Sequence, residues 1–126
     1  VMVMGGENIS VVRTISKEYE IAVAHQLNLP YESRCRNLHG HNVKIEVQLC
    51  GELNENGMIV DFHRLDEIVM KYDHKNLNDF FEMPTVEVLS EAIAREIIER
   101  FKNVKSVNVK CWESRKASAE VNMWKL

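Results

Sequence analysis

The chain has 126 residues, 45% of them hydrophobic and 28% charged. That is enough for one globular domain with a sizeable core, and no apolar run is long enough to span a bilayer. The net charge of -3 lacks the basic excess of a nucleic-acid footprint. Three cysteines, an odd number without a C-x-x-C pair, argue against a disulfide framework and for a reducing, cytoplasmic setting.

In chain order, the pattern first predicts a long strand from Ile9 to His25, bent near Ser16 and Lys17. Its Tyr19, Ile21, Val23 and His25 share one parity and therefore one face. A loop over Gln26 to Leu38 carries Pro30, Arg34, Cys35, Arg36 and Asn37. The second strand, His39 to Cys50, aligns His39 and His41 with Val43, Ile45, Val47 and Leu49. A Gly- and Asn-rich turn, Gly51 to Gly57, closes it.

Asp61 is placed to cap a helix whose apolar stripe is Phe62, Leu65, Val69 and Tyr72. Asp73 to Met83 reads as a polar connector. Thr85 caps a second helix, with Glu87 favourably set against the helix dipole and a stripe of Val86, Leu89, Ile93, Ile97 and Phe101. A third strand, Val104 to Glu113, keeps Val107, Val109, Cys111 and Glu113 in phase, and Ser118 to Trp124 forms a fourth. The order strand-strand-helix-helix-strand-strand predicts an α+β fold, an antiparallel sheet covered on one face by two helices. Four strands leave two edges with little protection, which predicts self-association edge to edge.

If the first two strands pair as a hairpin, His25, His39 and His41 meet at one end of the sheet. Three imidazoles without a fourth protein ligand match a catalytic zinc site, which keeps a position open for water or substrate. Separate histidines, one in the core and two at a rim, are the alternative. Cys35 lies in a polar loop between Arg34 and Arg36, and cations beside a thiol favour its reactive thiolate; otherwise it is a small buried hydrophobe. Cys50 and Cys111 fall in strand patterns and read as core. From local sequence Asp73 and His74 read as a solvated helix end, His63 as surface and Asp61 as a cap. Glu113 ends an apolar face, so it is either exposed there or aimed at a polar ligand.

Six segments together resemble the 6-pyruvoyltetrahydropterin synthase and 6-carboxytetrahydropterin synthase family, over about Tyr19 to Trp124. They are Ala24-His25-Gln26-Leu27, Cys35-Arg36-Asn37-Leu38-His39-Gly40-His41, Gly57-Met58-Ile59-Val60-Asp61-Phe62, Asp73-His74-Lys75-Asn76-Leu77-Asn78, Pro84-Thr85-Val86-Glu87 and Glu113-Ser114. The resemblance implies a single tunnelling-fold domain over 1–126, with its core at about 16–126 and an N-terminal extension over 1–15. Sheets of several subunits would join into a barrel, commonly a homohexamer of two trimers with active sites between subunits. It implies one zinc per subunit on His25, His39 and His41, and 7,8-dihydroneopterin triphosphate as substrate. Glu113 would anchor the pterin ring, Cys35 would act as general base, and Asp73 and His74 would tune it and relay protons.

The spacing C-x-x-x-H-G-H looks like the carboxy-forming branch that serves queuosine-type biosynthesis, where acetaldehyde and triphosphate leave and 6-carboxy-5,6,7,8-tetrahydropterin remains. The rivals are the pyruvoyl-forming synthase, a lyase that cleaves the side chain differently, and a catalytically silent pterin-binding module.

Overall fold

Two thirteen-residue strands with unbroken alternation form the centre of the fold. The computed structural model describes residues 2–3 and 8–126. Its strands are β1 (Met2–Val3), β2 (Ser10–Val11), β3 (Arg13–His25), β4 (His39–Gly51), β5 (Lys75–Asn76), β6 (Val104–Trp112) and β7 (Ser118–Trp124). Its helices are α1 (Phe62–Val69) and α2 (Val86–Arg100), both between β4 and β6 in sequence. The main sheet has the order β5-β3-β4-β6-β7, antiparallel throughout except for the short β5–β3 pair.

Register puts like with like. Tyr19 faces Ile45, Ile21 faces Val43, Val47 faces Val109 and Ile45 also faces Cys111. These residues are buried, and the helices cover them with Leu65, Ile68 and Val69 from α1 and Leu89, Ile93 and Ile97 from α2. Both helices start where a side chain satisfies a free N–H: Asp61 accepts from His63, and Thr85 accepts from Val88. The Asp66 carboxylate ties α1 to β3, accepting from Lys17 Nζ at 2.7 Å and Tyr19 Oη at 2.8 Å. No helix among the described residues is long and apolar enough to cross a membrane.

Several expectations change. The first strand breaks at Val12 rather than bending at Ser16–Lys17, and β2 pairs with β1 instead of joining the main sheet. Arg13, Thr14 and Ile15 pair with Gly51, Cys50 and Leu49, within the strand expected from Ile9 to His25. Phe62 is no part of the buried stripe of α1; it occupies the first helical position, is 43% exposed, and lines a shallow groove with Leu53 and Met58.

The connector after α1 is not merely polar. It buries Leu77 and contributes β5, so the β3 edge is covered from Ala22 to Gln26. Asn78 extends this cover with its side chain, which accepts from Gln26 N and donates to Gln26 O. One of the two edges expected to be open is therefore closed at its His25 end, because side-chain amides and carboxylates can stand in for a strand.

Candidate metal centre and active site

Register also builds the site. In the β3–β4 hairpin His25 lies opposite His39, and His41 lies opposite Val23. Lys44 pairs with Trp112, so Glu113 follows directly after β6, in phase with Cys111. Its N–H donates to Ala117 O at 2.8 Å, which closes the turn into β7 and holds the Glu113 backbone. One donor atom from each of His25, His39, His41 and Glu113 lies within 4.8 Å of all the others.

Each imidazole is oriented from behind. His25 Nδ1 is 2.7 Å from Pro84 O, His39 Nδ1 is 2.8 Å from Asn37 O, and His41 Nδ1 is 3.3 Å from Glu113 O. A carbonyl oxygen only accepts, so each Nδ1 carries the proton and each Nε2 presents a lone pair. His25 and His41 bring their Nε2 atoms to 3.1 Å. Burial holds the His25 pKa below its ordinary value, partly offset by the Pro84 carbonyl and the Glu113 carboxylate, and so favours the neutral ring. Two Nε2 lone pairs facing each other repel unless a cation lies between them. Zinc–nitrogen bonds of about 2.0–2.1 Å separate tetrahedral ligands by about 3.3 Å, so the donor set fits that ion.

A cavity of about 720 Å³ adjoins the cluster. His25, Cys35 and Glu113 line it, with Leu27, Leu29 and Tyr31 as its apolar side. Cys35 sits in a single 3-10 turn, Arg34–Arg36, where Ser33 Oγ accepts from Cys35 N and Cys35 O accepts from Leu27 N. Local bonds therefore hold the Cys35 backbone beside the cavity that its side chain helps to line. Thr85, Glu87 and Glu120 also line the cavity. Sequence reading missed them as site residues, treating Thr85 and Glu87 only as helix-start chemistry. For Thr85 and Glu87 the signal was the Pro84-Thr85-Val86-Glu87 segment itself, whose Pro84 carbonyl orients His25; no segment singled out in the sequence contains Glu120.

The remaining candidates are apart. Asp73 and His74 are not among the cavity-lining residues of their own chain. Asp73 Oδ1 accepts Ala22 N at 2.9 Å, and His74 N donates to Ala22 O at 2.7 Å, so the pair clasps the outer edge of β3. The Ala22 N–H is the main cause that keeps the Asp73 carboxyl below its usual range, with His74 adding to it. His74 has φ of 59, a left-handed conformation uncommon outside glycine, and its ring is exposed with Nδ1 3.1 Å from Asp73 Oδ2. His63 is exposed near Asp66, and Asp61 is a helix cap. Cys111 is fully buried, which pushes its thiol pKa up to about 12, and Cys50 contacts Thr14 Oγ1 at 3.1 Å.

Residues 14–123 match the family model described as 6-pyruvoyl tetrahydropterin synthase. The chain belongs to that family. It is accordingly an enzyme, a lyase. A Pyrococcus abyssi protein provisionally named 6-carboxy-5,6,7,8-tetrahydropterin synthase is 33% identical, over 91% of this chain and 93% of that protein. The dihydroneopterin monophosphate aldolase of Pyrococcus furiosus is 33% identical over 67% of this chain and 77% of that one. The structure of 6-pyruvoyl tetrahydropterin synthase from Caenorhabditis elegans superposes with a TM-score of 0.68 at 23% identity, covering 90% of this chain and 96% of that one. This last likeness is one of fold.

Proposed function

We propose that this chain is a zinc-dependent lyase that converts 7,8-dihydroneopterin triphosphate and one water to 6-carboxy-5,6,7,8-tetrahydropterin, acetaldehyde and triphosphate, in a cytoplasmic route toward queuosine-type 7-deazapurines. The observation that carries the product assignment is the likeness to the Pyrococcus abyssi relative across 91% of the chain. The short C-x-x-x-H-G-H spacing of Cys35, His39 and His41 agrees with it.

His25, His39 and His41 would hold one zinc through their Nε2 atoms. When bound, the metal supplies Lewis-acid polarisation of the substrate side-chain hydroxyls. Cys35, fixed at the wall of the same cavity, removes a proton from the side-chain carbon as general base. Glu113 accepts hydrogen bonds from the pterin ring N–H and amino groups, while the apolar wall of Leu27, Leu29 and Tyr31 suits a flat ring. Asp73 and His74 relay protons in a neighbouring subunit's site. Their position on the β3 edge, away from their own cavity, supports that reading and with it a homohexamer of two trimers.

Incubating the zinc-loaded protein with 7,8-dihydroneopterin triphosphate and identifying products by mass spectrometry tests the assignment. Acetaldehyde with a carboxypterin is the expected result, and a 6-pyruvoyl product overturns it. A second reading, side-chain cleavage of a dihydroneopterin phosphate, is favoured by the likeness to the Pyrococcus furiosus aldolase. In that case the same experiment releases a two-carbon aldehyde that still carries the triphosphate and leaves a hydroxymethyl-dihydropterin. Binding of pterin without turnover would identify a silent binding module.

A further inference from the structure

Glu113 touches the site twice, and the two contacts can be separated. Its backbone carbonyl accepts from His41 Nδ1, while its carboxylate Oε1 lies 3.8 Å from His25 Nε2 and 3.7 Å from His41 Nε2. Neither imidazole offers that carboxylate a proton, because both Nδ1 protons point at carbonyls on the far side of the rings. Three electron-rich groups thus converge on one point, an arrangement that a cation stabilises and that neutral rings alone do not. The spacings exceed the tetrahedral value of about 3.3 Å only slightly.

We propose that the Glu113 carboxylate is the fourth ligand of the metal in the substrate-free protein, and that it leaves the metal when the pterin ring enters. The proposal rests on the pterin reading above and adds a gate to it. The side chain is 38% exposed and borders the 720 Å³ cavity, so it has room to turn. The Glu113 N–H to Ala117 O bond and the His41 contact hold the backbone still as it does so. A ring whose N–H groups bind the carboxylate withdraws it from the metal and uncovers the coordination position that the side-chain hydroxyls require. The metal is then open only when a ring is bound, which limits capture of other small ligands.

The test uses the full chain loaded with cobalt(II), whose visible spectrum reports coordination, titrated with imidazole as a neutral ligand that the Glu113 charge neither attracts nor repels. Wild type is expected to hold one cobalt per chain and to bind imidazole weakly. Glu113→Ala and Glu113→Gln are expected to keep the cobalt, with an altered spectrum and at least tenfold tighter imidazole binding. Adding 6-methyl-7,8-dihydropterin, which has the ring without hydroxyls, is expected to tighten imidazole binding in wild type and not in Glu113→Ala.

Cobalt binding with equal imidazole affinity in wild type and Glu113→Ala overturns the proposal while leaving the three-histidine site intact. Weak imidazole binding in wild type with the ring bound overturns the gate. Wild type without stoichiometric cobalt overturns the histidine site and the proposal together, and failure of the ring to bind overturns the pterin reading and the gate while the ligand assignment is still read from the variants.

Discussion

His25 on β3 and His41 on β4 face each other with Nε2 atoms 3.1 Å apart, each ring held from behind by a backbone carbonyl. The hairpin register brings them together, and the carbonyls choose the tautomer that leaves both lone pairs inward. With Glu113 and His39 they form a group that could hold a metal ion. Zinc is therefore expected to raise the thermal midpoint of wild type, since a ligand that binds only the folded state at 100 times its Kd adds about 2.7 kcal/mol. His39→Ala and His41→Ala are expected to lose both stoichiometric zinc and this stabilisation, as read by metal analysis and calorimetry.

Cys35 is held through its own backbone, its N–H donating to Ser33 Oγ and its carbonyl accepting from Leu27 N, rather than by its thiol. Cys35→Ala should therefore leave the loop, the zinc content and pterin binding in place. Turnover is expected to fall by about 10²–10⁴, the usual contribution of a general base. A variant that loses zinc as well would point to a structural role instead.

Acid should loosen the β3 attachments. The Asp66 carboxyl is held low chiefly by Lys17 and Tyr19, and the Asp73 carboxyl chiefly by the Ala22 N–H. Folded pKa values depressed below the unfolded value mean that the stabilisation is complete above about pH 4 and is lost as pH falls through the folded values. Urea midpoints measured from pH 7 downward are expected to drop in that window, and Asp66→Ala should flatten the drop. Asp73→Ala should speed hydrogen exchange at the Ala22 amide.

Packing predicts an ordering of substitutions. Ile93→Ala removes a fully buried side chain and is expected to cost about 2–5 kcal/mol, whereas Phe62→Ala should cost under about 1 kcal/mol. Gly51→Ala would set a Cβ against the Asn103 carbonyl oxygen and 3.0 Å from Val104 Cα, both backbone, so a loss of about 1–3 kcal/mol is expected. Urea unfolding of the three variants checks the order.

Much of the fold was legible because alternation is a local signal. The runs Tyr19 to His25 and Val43 to Leu49 announce their buried faces residue by residue, and the caps Asp61 and Thr85 announce their helices. Phe62 misled because a stripe does not say where the core ends. Lys75–Asn76 was missed because a two-residue strand has no periodicity, and its partner lies some fifty positions away.

The sequence by itself determined which residues share a face, which fold class follows, and that His25, His39 and His41 meet at one end of the sheet once the hairpin pairs. Side-chain period and family motifs are both written along the chain. Only the tertiary structure decided which backbone carbonyl each imidazole faces, that Glu113 turns its carboxylate toward them, and that Glu87 and Glu120 stand at the same cavity. Those facts depend on carbonyls and carboxylates brought in from distant elements, whose distances and directions no local pattern encodes. Asp73 and His74 mark the same boundary: their spacing in the chain is plain, but the clasp on the Ala22 backbone exists only once β3 has an edge.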